Sequence, residues 1–205
     1  MSAPPQSPPA VILASKSQPR AALLAAAGVP FTLAGAGVDE HAAKLSLLGE
    51  GATPREVADA LAELKAVKVS RGRPDALVIG ADQTLDLDGV LYDKAKTVDE
   101  ARLRLMDFRG RTHKLHAAVV VAQGGQPIWR DLPAASLTMR PFSDDFLDAY
   151  LAEHGQAILS SVGCYQLEAG GMQLFSDIKG DYHTILGLPL LGLLDLLRRY
   201  GVLAT

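Results

Sequence analysis

The chain has 205 residues, 48% of them hydrophobic, and a formal net charge of −3. This length and apolar content suffice for one large domain, and the charge excludes a global basic field that would hold nucleic acid. Aromatic residues make up only 5% of the chain, which argues against a surface that stacks nucleic-acid bases. The single cysteine, Cys164, excludes an internal disulfide, fits a reducing cytosol and is expected to be a small buried residue.

The first nine residues are rich in proline and lack the cationic region that opens a signal peptide. We expect residues 1–9 to form a disordered tail and residues 10–205 to form a single domain. The apolar stretch after the tail is broken by Lys16 and Arg20, which argues against a membrane span. The sequence therefore predicts a cytoplasmic protein without a membrane or nucleic-acid partner.

The first elements alternate between strand and helix. Residues 10–15 predict a strand, and the helix that follows is capped by Ser17 and ended by Gly28. Residues 31–38 predict a second strand, which ends at Asp39.

The next helix begins at a capping box over residues 53–56. Val57, Leu61 and Leu64 form its predicted buried stripe. Because Lys65 lies beside Leu64, an exposed lysine is the default expectation.

The middle of the chain predicts a short strand over residues 76–81, covered on both faces and ending at Asp82. Asp88-Gly89 predicts a hairpin turn, and residues 97–100 predict a second capping box. The remaining predicted elements are strands over 115–122 and within 127–139, and helices over 143–153 and about 190–200. This alternation favours an α/β fold.

Several well-known catalytic signatures are absent from the sequence. It contains no P-loop, no dinucleotide-binding glycine motif, no HExxH or CxxC pattern and no GxSxG elbow. The five histidines have no metal-ligand spacing, and His113 and His116 fall on opposite faces of a predicted strand.

Polar side chains gather where the predicted strands end. They are Ser15, Lys16, Ser17, Arg20, Asp39, Glu40, Asp82, Gln83 and, after the hairpin, Lys94. Strand ends are where α/β sheets bind ligands, and the helix start after Ser17 suits a phosphate. Cations would neutralise phosphate oxygens while carboxylates held a hard divalent ion, a pattern that favours metal-assisted phosphoryl chemistry. The structural alternatives stay open at this point: Ser17 as a helix cap and Glu40 as a solvated loop residue.

Six short blocks of sequence also occur in a distinctive order. They are LASKSQPR (13–20), VDE (38–40), LAELKA (61–66), VIGAD (78–82), Lys94 with GRTH (110–113), and GCYQLE (163–168) with GLPL (187–190). Together they resemble the Maf family of nucleoside triphosphate pyrophosphatases. The blocks are spread along nearly the whole chain after residue 10.

The resemblance implies cleavage of a nucleoside triphosphate between its α- and β-phosphates, with Mg²⁺ or Mn²⁺ as cofactor. It implies that Asp82 accepts the proton of the attacking water and that Glu40 joins it around the metal. The expected phosphate-binding residues are Ser15, Lys16, Arg20, Lys65 and Lys94. The fold it implies is an elongated α/β structure like that of inosine triphosphate pyrophosphatase: a central mixed sheet flanked by helices, with two lobes around a deep cleft. A homodimer is a possible assembly.

The departures from the family pattern bear on which nucleotide base the protein recognises. Pro19 replaces one of two arginines, Gln83 stands where many members have threonine, and Glu168 stands where many have glutamine. These residues resemble the branch that prefers 7-methyl-GTP, although its usual aromatic residue near Pro19 is missing. The Glu168 carboxylate could accept hydrogen bonds from a guanine N1–H and amino group. Pro19, Gln83 and Glu168 are therefore the predicted base-specificity residues, with a broader substrate range as the alternative.

Two other functional classes compete with this interpretation. One is a non-catalytic nucleotide-binding regulator of cell division or septum formation, which would need no general base such as Asp82. The other is a phosphatase, which would release orthophosphate instead of pyrophosphate.

Overall fold

The computed structural model describes residues 7–205, which contain one eight-stranded sheet with helices on both faces. The strands are β1 (Val11–Leu13), β2 (Thr32–Leu33), β3 (Leu77–Leu87), β4 (Val90–Tyr92), β5 (Thr112–Gln123), β6 (Gln126–Asp131), β7 (Ala134–Met139) and β8 (Phe175–Lys179). The helices are α1 (Gln18–Ala26), α2 (Glu40–Gly49), α3 (Pro54–Ser70), α4 (Val98–Phe108), α5 (Asp144–His154), α6 (Tyr182–Ile185) and α7 (Leu191–Arg199). The predicted α/β class is confirmed.

The predicted tail falls largely outside the described residues, since residues 1–6 are not among them. Residues 7–9 have no regular secondary structure. None of the helices between residues 7 and 205 is both long enough and apolar enough to cross a bilayer.

The sheet order is β2-β1-β3-β5-β7-β8, with β4 also paired to β3 and β6 to β5. β1 runs parallel to β2 and β3, and every other pair is antiparallel, so the sheet is mixed as predicted. β5 covers one edge of β3 from Val78 to Asp86. The other edge pairs with β1 only as far as Ile79 and with β4 only from Leu85. Within the described chain, residues 80–84 therefore have no strand partner on that edge. The expected two lobes and deep cleft stay predictions.

Two predicted strands have the wrong length. The strand expected over residues 31–38 has only two residues, Thr32–Leu33, because glycines at 35 and 37 follow and Gly37 takes a left-handed φ of 59°. The strand expected to end at Asp82 continues to Leu87, because β5 pairs with it along this length.

Other boundaries differ in smaller ways. The single strand expected within residues 127–139 is two strands, β6 and β7. The capping box at residues 53–56 forms as predicted. The one at 97–100 has only one of its two reciprocal hydrogen bonds. Thr97 accepts the Glu100 N–H, while the Glu100 carboxylate accepts the N–H of Lys96 instead.

Two helical layers enclose the sheet. On one face, α1 and α7 pack a leucine-rich cluster against β1 and β3, including Leu24, Leu193 and Leu197. On the other face, α3 lies close to the sheet because both surfaces carry small residues. These residues are Ala58, Ala62 and Ala66 on the helix, and Gly80, Ala118 and Ala122 on the strands. The close approach brings α3 side chains down to the level of β3.

His113 of β5 is buried in an aromatic cluster and is expected to make stability pH-dependent. Its Nε2 lies 2.7 Å from the Tyr165 hydroxyl, and its ring stacks on Phe108. Burial lowers the pKa of His113 from 6.5 to about 4. The unfolded chain therefore takes up a proton between these values that the native protein does not, so stability falls as the pH drops through this window. The loss is at most about 3 kcal/mol.

Urea unfolding at neutral pH and at about pH 4.5 measures this loss. His113→Phe keeps the aromatic packing and removes the titrating ring, so the pH dependence should become shallower. His41→Gln changes an exposed histidine of α2 and is the control, with the wild-type dependence expected. Equal pH dependence in His113→Phe and the wild type would contradict the prediction.

Candidate functional site

The candidate site lies at the unpaired stretch of β3, residues 80–84, between the ends of β1 and β4. The carboxyl end of β1 leads into α1, which begins beside this gap. Such a gap leaves backbone carbonyls free for side chains. The Arg20 Nη1 donates to the carbonyl of Ala81 at 2.9 Å and so occupies the place that a neighbouring strand would take.

Lys65 joins two carboxylates at this gap. Its Nζ lies 2.7 Å from Asp82 Oδ1 and 2.8 Å from Glu40 Oε2. Lys65 is only 5% exposed, so the prediction of an exposed lysine is wrong. The stripe that faces the sheet runs through the alanines of α3, which turns Lys65 inward and leaves Leu64 40% exposed. Burial of Lys65 is tolerated because both carboxylates pair with it.

Asp82 and Glu40 reach Lys65 from different elements. Asp82 is 9% exposed and points toward α3 from the middle of β3. Glu40 is the first residue of α2, a helix that the sequence analysis did not predict, and its side chain is 53% exposed. Asp39 caps α2 by accepting the Ala42 N–H, so its role is structural.

Arg20 is fixed by three acceptors. Besides Ala81, its Nε donates to the Gly187 carbonyl at 2.8 Å, and its Nη1 lies 3.5 Å from Ser15 Oγ. Burial lowers the pKa of the Arg20 guanidinium, while the negative charges of Asp82 and Glu40 raise it. An arginine stays protonated under these conditions, so a positive charge is held beside the carboxylates.

The polar residues around the start of α1 are only partly as expected. The Ser15 hydroxyl accepts the Ser17 N–H at 3.1 Å, which shapes the turn into the helix. Ser17 occupies the N-cap position, but its side chain makes no capping bond there. Lys16 and Pro19 are exposed. Gln18 and Pro19 in the first turn of α1 therefore face solvent beside Lys16, while Arg20 turns inward to the Ala81 carbonyl.

Gln83 has a structural role that the sequence did not indicate. Its Nε2 donates to the carbonyls of Thr184 at 3.0 Å and Ile185 at 2.9 Å, which ties α6 to β3. Because Gly187 follows in the same turn and accepts from Arg20, Gln83 also helps to position Arg20. Its amide nitrogen is thus already engaged with protein carbonyls.

Lys94 and Glu168 are both exposed. The segment before Lys94 is held in place by residues that the sequence analysis missed. The Asp93 carboxylate pairs with Lys44 of α2, and the Asp93 carbonyl accepts from the buried Arg104. These contacts bring the Lys94 segment to the helix that carries Glu40. Nothing in the local sequence signals the Lys44–Asp93 pair, because its members are far apart in the chain.

The donor set suits a hard divalent cation that also binds phosphate. Within residues 7–205, no group of three or more histidine, cysteine, aspartate or glutamate side chains is arranged to hold a metal. Asp82 and Glu40 supply two carboxylates, and Mg²⁺ commonly uses one or two carboxylates together with substrate phosphates. The residues therefore fit a cation whose remaining ligands come from a nucleotide.

Comparison with known proteins identifies the family. The model of the family described as Maf-like protein matches residues 10–200. The chain belongs to the Maf family. It is 62% identical over 195 residues to the nucleoside triphosphate pyrophosphatase of Caulobacter vibrioides, an alignment that covers 95% of this chain and 98% of the relative. It is 49% identical over 189 residues to the 7-methyl-GTP pyrophosphatase of Brucella suis, covering 92% and 95%.

Membership of the Maf family confirms the resemblance carried by the six sequence blocks. Of the predicted site residues, the structure brings together Asp82, Glu40, Lys65 and Arg20 in one cluster of charges, with Ser15 at its edge. The assigned roles of these residues stay predictions.

Proposed function

We propose that this protein hydrolyses nucleoside triphosphates between the α- and β-phosphates, releasing a nucleoside monophosphate and pyrophosphate. The observation that carries the proposal is the Glu40–Lys65–Asp82 cluster beside Arg20, at the unpaired edge of β3. The names of the Caulobacter vibrioides and Brucella suis relatives support the same reaction.

The residues of the cluster can divide the work of such a reaction. Asp82 accepts a proton from the water that attacks the α-phosphorus, and the bond from that phosphorus to the bridging oxygen breaks. Lys65 and Arg20 lie within reach of the same carboxylates and would neutralise charge that develops on the leaving pyrophosphate. Ser15, Lys16 and Lys94 are proposed to bind the remaining phosphate oxygens.

A divalent cation, Mg²⁺ or Mn²⁺, would be held by Asp82 and Glu40. When bound, it would add positive charge at the phosphate groups.

Cytoplasmic location, suggested by a lone buried cysteine, and the homodimer stay predictions from the sequence.

A product assay tests the proposal. The purified protein is incubated with Mg²⁺ or Mn²⁺ and a panel of GTP, 7-methyl-GTP, UTP, dTTP and CTP, and pyrophosphate and orthophosphate are scored separately. Release of pyrophosphate with the nucleoside monophosphate is expected. Orthophosphate as the first product would favour a phosphatase instead. Binding of every nucleotide without turnover would favour a nucleotide-binding regulator.

Within this reaction we propose that Glu168 reads a guanine-type base, with 7-methyl-GTP as the preferred substrate. Its carboxylate can accept from N1–H and the amino group, and it favours a methylated, cationic ring. Glu168→Gln should therefore lower the guanine preference in the same panel, by about tenfold. Glu153→Gln neutralises an exposed carboxylate of α5 and is the control. An unchanged ranking of substrates in Glu168→Gln would remove Glu168 as a base reader.

A further inference from the structure

The Lys65 ammonium lies between the two carboxylates proposed to hold the cation. Its Nζ is within 2.8 Å of both Glu40 and Asp82, and the residue is buried. An ammonium has three N–H donors and no acceptor, so it can serve both carboxylates at once. The oxygens that a cation would use are thus already paired with a positive charge.

A free divalent cation would meet two obstacles at this site. It would have to displace Lys65 from both carboxylates, against repulsion between the two positive charges. It would also gain only two protein carboxylates, because no third ligand of the histidine, cysteine or acidic type is clustered there within residues 7–205. A nucleotide changes both conditions, since its phosphates supply further oxygens and a new anionic partner for Lys65.

We propose that Lys65 blocks the carboxylate pair against a free divalent cation, so that the cation binds only together with a triphosphate. This inference rests on the proposed function, because it takes the triphosphate as the ligand that draws Lys65 away. Lys65 exchanges its partners from carboxylates to phosphate oxygens, and no covalent bond changes.

Glu40 is the partner that can separate from Lys65 most easily. It stands at the start of α2, a helix without a buried residue, and its own side chain is half exposed. Asp82 is held in the middle of β3, where β5 pairs with one edge of the strand and α3 covers its face. The first step of opening is therefore the separation of Glu40 from Lys65.

Binding of Mn²⁺ without turnover tests the inference, with free Mn²⁺ followed by electron paramagnetic resonance. Wild-type protein should bind Mn²⁺ alone weakly, and Lys65→Gln should bind it about tenfold to a hundredfold more tightly. This is the scale on which a nearby cation changes the proton affinity of a carboxylate. Lys65→Arg keeps the positive charge and should bind Mn²⁺ alone as weakly as the wild type. Lys68→Gln removes a charge one turn along α3, where Lys68 contacts the Gly37 carbonyl, and should leave Mn²⁺ binding unchanged.

A second titration adds the α,β-methylene analogue of GTP, which cannot be cleaved at the α,β-bridge. Mn²⁺ binding to the wild type should then become tighter, while Lys65→Gln should gain less from the analogue. Equal Mn²⁺ affinity of wild type and Lys65→Gln without nucleotide overturns the inference. Tight binding of Mn²⁺ alone to the wild type, abolished by Asp82→Asn, overturns it as well and does not depend on the folding of Lys65→Gln. The proposed hydrolysis fails separately, in the product assay, if no pyrophosphate forms.

Discussion

Asp82→Asn is expected to lower the rate of pyrophosphate release about a thousandfold or more while the fold is retained. Asparagine has nearly the same shape, but it cannot accept a proton from water and is a poor ligand for a hard cation. Lys65 keeps its contact to Glu40 in this variant, so the buried ammonium still has an anionic partner. The loss should therefore appear in turnover, measured with saturating nucleotide and metal, and much less in the unfolding midpoint.

Asp86→Asn is the matched control for this variant. Asp86 lies on the same strand and the same face, but it pairs with His116 and the Gly89 N–H instead of Lys65. The same substitution there should leave most of the turnover. Near-normal turnover in Asp82→Asn would remove Asp82 from the catalytic role. Equal losses in both variants would attribute the effect to the strand as a whole.

Elements with strong local signals were predictable from the sequence. The Thr53–Glu56 capping box forms with both reciprocal hydrogen bonds. The Asp88-Gly89 hairpin forms with positive φ angles of 53° and 84°, which that dipeptide accommodates easily. In both cases neighbouring residues decide the backbone, so a few letters of sequence contain the necessary information.

The helix α2 could not be predicted by the same reasoning. It buries none of its residues, and its Leu45 and Leu48 stay exposed, so packing of an apolar stripe is not what holds it in place. Its position depends on the Asp39 cap and on two ion pairs with distant segments, Glu40–Lys65 and Lys44–Asp93. Long-range charge pairs of this kind leave no periodic pattern, and Glu40 was therefore expected in a loop.

The predicted buried stripe of α3 is confirmed for Val57 and Leu61 and wrong for Leu64, which is 40% exposed. The face that meets the sheet is formed mainly by Ala58, Ala62 and Ala66, which repeat every four residues. Small residues allow the helix to approach the sheet closely, and Lys65 then reaches Asp82. This i, i+4 repeat of alanines was a usable signal in the sequence.

Gly80 is the residue of β3 that makes this close approach possible. A Cβ at Gly80 would lie 2.7 Å from the Ala66 nitrogen and 2.8 Å from its Cβ, and closer still to the Ala62 carbonyl oxygen. Two of these three atoms belong to the helix backbone, which cannot rotate away as a flexible side chain can. The glycine thus sets the spacing between β3 and α3, and with it the distance from Lys65 to Asp82.

Gly80→Ala is therefore expected to lower the free energy of unfolding by about 3 kcal/mol and to lower turnover of the protein that remains folded. Urea unfolding measures the first effect, and turnover per folded molecule measures the second, because a displaced α3 moves Lys65 away from Asp82. Gly49→Ala is the control, since a Cβ there has no atom within 4 Å, and it should be neutral or slightly stabilising. If Gly80→Ala were as stable as the wild type, α3 could shift away from β3 without cost. The close spacing of α3 and β3 would then not be what fixes Lys65 next to Asp82.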